Sequence, residues 1–492
     1  MNNSGDNISG DNGPAPQLTP KTELAVVAAF LLFFAVKAFY FAFLIGENIF
    51  PDEITHFGFA EVYSRSLLPP ADSSESYQFG LIKTFPFLYF YLMGKVFPLN
   101  IFPVPDLVFL RSVNVLISIL TVWFGWKLVR LLVSQPVVRL LFVAMITNTL
   151  MFTFISASVN YDNLINLLAV LSLYYLFSFF QYRGSVNILL FVLFTSMGML
   201  TKISFLPFAF LLLVVLLFHE RKNLRSLPYL IQPFKWKICL LSILCLFSMA
   251  ANMHLYLGNL LGYGKLQPAM DEVVGLEQAL QNRIFARDYV VRLFSEEKIS
   301  YLEARNMAFK HIKHPGDRNS ALVMVQQSAR EKTLKQSPRI DLLRYAFVWT
   351  DLMVGRIFGI LGHRMMTKNG SELAPYSLLF LAAGVLLVRR IKVSDLQGTG
   401  FYLLFIAGAY SLILMLAVNY KSYLSSGLLG SDLQGRYIFP VLIPIYALVA
   451  YYLTCLGSKW LKWSVFFIIT AIFVYGEFPW FLKNVSPEWF FK

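Results

Sequence analysis

Apolar runs of about 18 or more residues recur along this 492-residue chain, and no other feature narrows its fold as far. A run of that length crosses the hydrocarbon layer of a bilayer as a helix, at about 1.5 Å of rise per residue. Composition agrees: 57% of the chain is hydrophobic, only 14% is charged and the mean hydropathy is +0.60, which is far too apolar for a soluble domain. The expected fold is all-α, a polytopic membrane protein of about eleven transmembrane helices. Hydropathy places them near residues 22–46, 107–128, 138–158, 163–181, 186–201, 203–218, 237–256, 374–389, 400–418, 437–456 and 463–481. The fifth and sixth are short and hinge at Thr201 and Lys202.

The formal charge of +14 does not point to nucleic acid, because the basic residues sit in short loops between apolar runs. There, positive charge sets membrane orientation. Lys127, Arg130, Arg139, Arg183, Arg221, Lys222, Arg225, Lys235, Lys237, Arg389, Arg390, Lys392, Lys459 and Lys462 mark one set of loops as cytoplasmic. The opposite set holds the loop at 47–106, the tip at Asn160, the turn at Lys202, the long connection 257–373 and the loop Asn419 to Arg436. Residues 1–21, rich in Asn, Gly, Ser and Pro, are expected to be a disordered cytoplasmic start with no cleavable signal peptide. A membrane module at 22–256, a helical extracytoplasmic region at 257–373 and further membrane helices at 374–492 complete the expected organisation. Cys239, Cys245 and Cys455 lie within spans without metal-ligand spacing and read as small core residues.

The polar groups with chemical potential fall on the non-cytoplasmic side. Directly after the first span comes PDEITHF, Pro51 to Phe57, with Asp52, Glu53 and His56; Asn160 and Asp162 precede the fourth span; Lys202 sits in its turn; Gln434, Arg436 and Tyr437 open the tenth span. Carboxylates can act as a general base toward a hydroxyl or hold a divalent cation, while Lys and Arg neutralise a phosphate leaving group. That combination suits transfer from a phosphate-activated donor, which outside the cytosol must come from a lipid phosphate. Each residue also has a structural reading. Glu53 fits a helix start, His56 an interfacial packing position, Lys202 a snorkelling lysine, Arg436 and Tyr437 an interface anchor, and Asn160 with Asp162 a helix cap. Lys83, Tyr89 and Arg111 line the same face if the first loop folds over it, although Arg111 is also placed to pair with Asp106. Lys37, inside the first span, needs a partner or a route to water. His311 and His314, without a third ligand, read as a basic helix end.

PDEITHF, followed by TFPFLYFYLMGKVF at 84–97 and FLRSVNVL at 109–116, resembles the first extracytoplasmic loop of the GT-C glycosyltransferases. NYDNLINLLAVL at 160–171, GMLTKISFLPF at 198–208 and QGRYIFPVLIPI at 434–445 are similar to an uncharacterised bacterial branch of that superfamily. It includes protein O-mannosyltransferases and aminoarabinose transferases, which use polyprenyl-phosphate sugars. The resemblance implies an integral membrane glycosyltransferase in a bacterial plasma membrane, with its site facing the periplasm or exterior. It makes Asp52 the first choice for the catalytic carboxylate, with Glu53 beside it; His56, Asn160 and Asp162 orient an acceptor or bind metal, and Lys202, Arg436, Tyr437 and Gln434 hold the donor phosphate. Asp52 and Glu53 are adjacent and do not form a spaced Asp-X-Asp, which leaves open a magnesium or manganese ion held by Asp52 and His56. Partners are then a polyprenyl-phosphate sugar, the bilayer and a glycan, lipid or protein acceptor, and no nucleic acid. A lipid-linked saccharide transporter, or a polymerase or ligase of lipid-linked glycans, would present similar groups.

Overall fold

A computed structural model describes residues 19–221, 236–313, 315–333, 339–390, 399–426, 429–430, 432–455 and 458–491. Most of the polar start, Lys222, Arg225, Lys235, His314 and Lys392 lie outside them. The first helix, α1 (Pro20–Leu44), starts where a helix should: the Thr19 side chain accepts the Thr22 N–H, and Pro20 occupies a first-turn position that needs no donor. In the first loop follow α2 (Glu53–Ser64) and α3 (Leu88–Val96), then α4 (Asp106–Leu132). The third apolar run forms two helices, α5 (Pro136–Thr147) and α6 (Leu150–Ser156), bent by 64°. At that break the side chains turn back on the preceding turn, Asn148 Nδ2 donating to Ala144 O and Thr149 Oγ1 to Met145 O.

Next come α7 (Tyr161–Tyr182), α8 (Ser185–Thr201), α9 (Phe205–Glu220) and α10 (Trp236–Tyr263). Outside the bundle stand α11 (Arg283–Ser295), α12 (Tyr301–His311) and α13 (Pro315–Thr333), whereas α14 (Leu342–Phe358) packs Tyr345, Trp349, Met353, Ile357 and Phe358 into the main core. The chain closes with α15 (Gly370–Arg390), α16 (Gly400–Leu424), α17 (Gly435–Thr454) and α18 (Lys459–Asn484). By length and apolarity eight of these helices can cross a membrane, or nine with the bent pair counted as one span. The expected eleven differ because α8 and α9, at 17 and 16 residues, are shorter than a full span. The polytopic all-α architecture stands.

Helix α7 is the axis of the bundle: 83% of its apolar window is buried, against 28% for α1, which leaves most of α1 for lipid. Lys37 in α1 needs no route to water. Its ammonium donates to Glu477 at 2.5 Å, to Thr147 O at 2.8 Å and to Asn148 Oδ1 at 2.9 Å, so one buried ion pair ties α1, the α5–α6 break and α18. The basic loops share one end, where Arg139 meets Glu23, Arg183 meets Glu220, Lys462 reaches Gln135 and Arg390 donates to Cys455 O.

At the opposite end the first loop packs under a small outer region. Helices α11 to α13 enclose their own core of Ala286, Val290, Phe294, Ala304, Ala308, Ile312, Ala321 and Val325. Among the described residues between α10 and α15 the chain is mostly helical, apart from turns and a two-residue antiparallel pairing of Ile360–Leu361 with Met365–Met366. Its turn lies on the first loop: the His363 N–H donates to Ile49 O at 3.2 Å. Gly46 N–H donates to Trp489 O at 2.8 Å and Ile45 bridges Phe490, so residues near 490 close the loop from the other side.

Candidate active site

Asp52 stands at the mouth of α2 with φ 59° and ψ 4°, a left-handed conformation that Asp tolerates better than most residues at a cost of roughly 1–3 kcal/mol. From that position its side chain does not cap α2. It turns to Arg436, whose Nη2 donates to Asp52 Oδ2 at 2.5 Å. The Arg436 Nε donates to Gln434 Oε1 at 2.6 Å and lies 3.5 Å from Asp162 Oδ2. Lys202 then donates to Asp162 Oδ1 at 2.7 Å, with its ammonium over the Tyr161 and Tyr437 rings at 4.3 and 5.0 Å. Asp52, Arg436, Asp162 and Lys202, drawn from four separate parts of the sequence, therefore form one continuous polar cluster.

Local sequence explains how each arm is held. Lys202 follows the last turn of α8 in extended backbone, which swings its side chain across to α7. Asn160 caps α7 by accepting the Asp162 N–H at 2.9 Å, and its amide donates to Pro51 O at 3.1 Å, so the cap also anchors the first loop. Gly435 lets Arg436 come in: a Cβ there would run into the Arg356 carbonyl of α14.

Exposure divides the cluster. Asp52 keeps 33% of its side chain open, while Arg436 keeps 1%, Asp162 5% and Lys202 14%. Two buried polar atoms, Arg436 Nη1 and Asp162 Oδ2, have no hydrogen-bond partner among the described residues, so the cluster has unspent capacity for both a donor and an acceptor. Burial works to raise the Asp52 pKa, but the Arg436 guanidinium, together with His56 and His363, outweighs it and holds the carboxyl well below the usual carboxylate range.

The other sequence candidates occupy different surroundings. Glu53 is buried and its carboxylate is spent: Arg111 Nε and Nη2 donate to its two oxygens at 2.9 and 2.5 Å, and the Val159 N–H adds a third bond at 3.1 Å. Arg111 also donates to Ala42 O, Ile45 O and Gly46 O, so its partner is Glu53, and Asp106 instead accepts from Asn100. His56 packs its ring 4.3 Å from Tyr161, with Nδ1 3.2 Å from Val159 O, and burial pushes its pKa down to about 4. Tyr89 is buried and donates to Asn114 Oδ1 at 3.0 Å. Lys83 is exposed, and only its backbone is fixed, by Asp72. No group of three or more His, Cys, Asp or Glu among the described residues is placed to hold a metal ion. Asp52 and His56 supply two donors, one oxygen of the first already facing Arg436.

Sequence reasoning missed two groups from the outer region. His363, in the turn of the short hairpin, and Arg287 of α11 both lie within electrostatic reach of Asp52. A Gly between two apolar pairs hinted at the hairpin, but nothing local tied either residue to position 52.

Residues 86–253 match the family model of dolichyl-phosphate-mannose-protein mannosyltransferase. Among solved structures, the chain is similar to the S. cerevisiae protein O-mannosyltransferase complex bound to the sugar donor. That match has 18% identity and a TM-score of 0.35, over 52% of this chain and 36% of that one. It is also similar to ArnT from Cupriavidus metallidurans bound to undecaprenyl phosphate, with 11% identity and a TM-score of 0.36, over 96% of this chain and 82% of that one. The chain thus spans little more than a third of the yeast chain's length. No curated protein sequence matches it. The two superpositions are loose; the family match is the finding that meets the GT-C resemblance carried by the motifs.

Proposed function

We propose that this chain is a membrane glycosyltransferase that moves a sugar from a polyprenyl-phosphate donor to an acceptor hydroxyl on the extracytoplasmic side, with Asp52 as base. The observation that carries the reading is the Asp52–Arg436–Asp162–Lys202 cluster, a partly open carboxylate joined to two cations at the end of the bundle opposite the basic loops. The family description, a dolichyl-phosphate-mannose enzyme, supports the donor class.

The chemistry follows from the contacts. A donor phosphate entering from the bilayer edge meets Arg436 and Lys202, which offset its charge as it leaves. In doing so it competes with Asp52 for the guanidinium. Asp52, released from Arg436, becomes a stronger base at the moment the donor is bound. The acceptor oxygen attacks the anomeric carbon, the bond to the phosphate oxygen breaks, the electron pair departs with the polyprenyl phosphate, and Asp52 takes the hydroxyl proton. Glu53 and Arg111 lock the backbone that carries Asp52.

The test uses purified full-length chain in detergent with polyprenyl-phosphate mannose and candidate acceptors. Wild type should release polyprenyl phosphate, and Asp52→Asn should lower the rate by about 100-fold or more. Equal rates would overturn the role of Asp52. An EDTA arm reports whether a divalent cation takes part.

A further inference from the structure

Three asparagines open the α7 segment, and two of them are fully employed. Asn160 caps the helix and holds Pro51 O. Asn163 donates to Asn114 Oδ1 at 3.1 Å and to Ile155 O and Ser158 O at 3.0 Å each, and accepts from Ser118 Oγ at 3.2 Å. Asn166 differs: it is 5% exposed, and neither its amide nitrogen nor its carbonyl oxygen has a hydrogen-bond partner among the described residues. Buried polar side chains in native proteins are as a rule hydrogen-bonded, so an idle amide on the most enclosed helix of the bundle calls for an occupant.

Its position says which. Asn166 follows Asp162 by four residues, so the two stack on one face of α7 with Cβ atoms about 5–6 Å apart. Helical side chains lean toward the N-terminus, which directs the Asn166 amide at Asp162. Asp162 Oδ1 accepts from Lys202, but its Oδ2 has no hydrogen bond among the described residues, and neither has Arg436 Nη1. The idle atoms are thus two acceptors, Asp162 Oδ2 and Asn166 Oδ1, and two donors, Asn166 Nδ2 and Arg436 Nη1.

We infer that Asn166 and Asp162 Oδ2 bind hydroxyls of the donor's sugar, and that Asn166 sets donor specificity. The inference rests on the transferase reading above and adds the residue that recognises the transferred group. A phosphodiester has no hydrogen to give, so it satisfies Arg436 Nη1 and leaves both acceptors idle. A sugar hydroxyl gives one hydrogen and accepts another. Two neighbouring hydroxyls of a pyranose therefore complement the carboxylate oxygen and the amide together, and the prenyl chain offers nothing polar to either.

Binding and stability test this apart from transfer. Purified full-length chain in detergent, as wild type and Asn166→Leu, is titrated with undecaprenyl-phosphate mannose, glucose and galactose, and with undecaprenyl methyl phosphate, which has the same charge and no sugar. Deoxy analogues at each hydroxyl of the best-bound sugar follow. Wild type should bind at least one sugar donor more tightly than the methyl ester, and Asn166→Leu should weaken that donor about tenfold or more while binding the methyl ester as wild type does. Removing the hydroxyl that meets Asn166 should weaken wild type by a similar factor and leave Asn166→Leu unchanged. Because no described residue bonds the Asn166 side chain, Asn166→Leu should hold or raise the unfolding midpoint; an Asn with a merely structural role would lower it, and would weaken both ligands alike. The inference fails on that last pattern, if Asn166→Leu binds the sugar donor as wild type does, if every deoxy analogue is still affected by the substitution, or if no sugar donor outbinds the methyl ester. None of these readings needs turnover, so an inactive transfer assay would overturn the transferase reading and leave the sugar site to be judged by binding.

Discussion

Two adjacent carboxylates in PDEITHF have opposite fates, and the difference lies in residues far from them. Asp52 keeps an open oxygen, whereas Glu53 is closed in by Arg111, 58 positions away, and by a backbone N–H. Breaking a buried pair leaves an uncompensated charge, so Glu53→Ala should cost about 3–5 kcal/mol, and a Glu53→Met, Arg111→Met double variant should recover only part of it, because the Ala42, Ile45 and Gly46 carbonyls and the Val159 N–H then lose their partners. Unfolding midpoints of the three proteins in one detergent decide the point. His56 gives a separate signature. Its folded pKa of about 4 is below the ordinary value of 6.5, so between those values the unfolded chain binds a proton that the folded chain refuses. Its contribution is complete above about pH 6.5 and is lost as pH falls toward 4; His56→Gln should flatten that part of a midpoint-against-pH curve. The residue types of the site were legible in the sequence, because carboxylates and cations stranded between apolar runs are conspicuous. Their division into open and spent groups was not, since pairings such as Glu53 with Arg111 or Lys37 with Glu477 are fixed by tertiary contact alone.

Among the elements, α2 carries Asp52 and α3 holds α2 in place by close approach. A Cβ at Gly94 of α3 would stand 2.6 Å from Tyr63 Cβ and 2.9 Å from Ala60 O, neither of which can move without α2. Gly94→Ala should therefore destabilise by about 1–3 kcal/mol and reduce transfer, through overpacking at a site remote from substrate. Gly384 in α15 is the control: a Cβ there meets nothing within 4 Å, so Gly384→Ala should be neutral or stabilising by up to about 1 kcal/mol. Thermal unfolding and the transfer assay, run on both variants, separate the outcomes. The long helices were plain from apolar runs alone. The α5–α6 bend was read as one straight span, because Asn148 and Thr149 break the ladder with their own side chains in an otherwise apolar stretch. Helical periodicity in the outer region pointed to helices and could not show that α11 to α13 enclose a core of their own.

For the whole molecule, the proposed orientation puts Lys83 and Arg183 on opposite sides of the membrane. Both are accessible, Lys83 on the first loop and Arg183 just past α7. With the native cysteines replaced by serine, Lys83→Cys in intact cells should react with an impermeant maleimide and Arg183→Cys only after permeabilisation. The reverse pattern would turn the molecule over. The contact between Asp52 and Arg436 also has a temporal side. They are 384 positions apart, and at about 5–20 residues per second a ribosome needs roughly 20–80 s to travel between them. Residues 489 and 490, which close the first loop through Gly46 and Ile45, arrive later still. Throughout that interval the nascent chain holds a loop whose ionic partners do not yet exist, so insertion of the early helices and assembly of the centre are separate events. A membrane-inserted intermediate without a finished centre is thus an obligatory stage in the protein's biogenesis, and the stage at which quality control would have most to recognise.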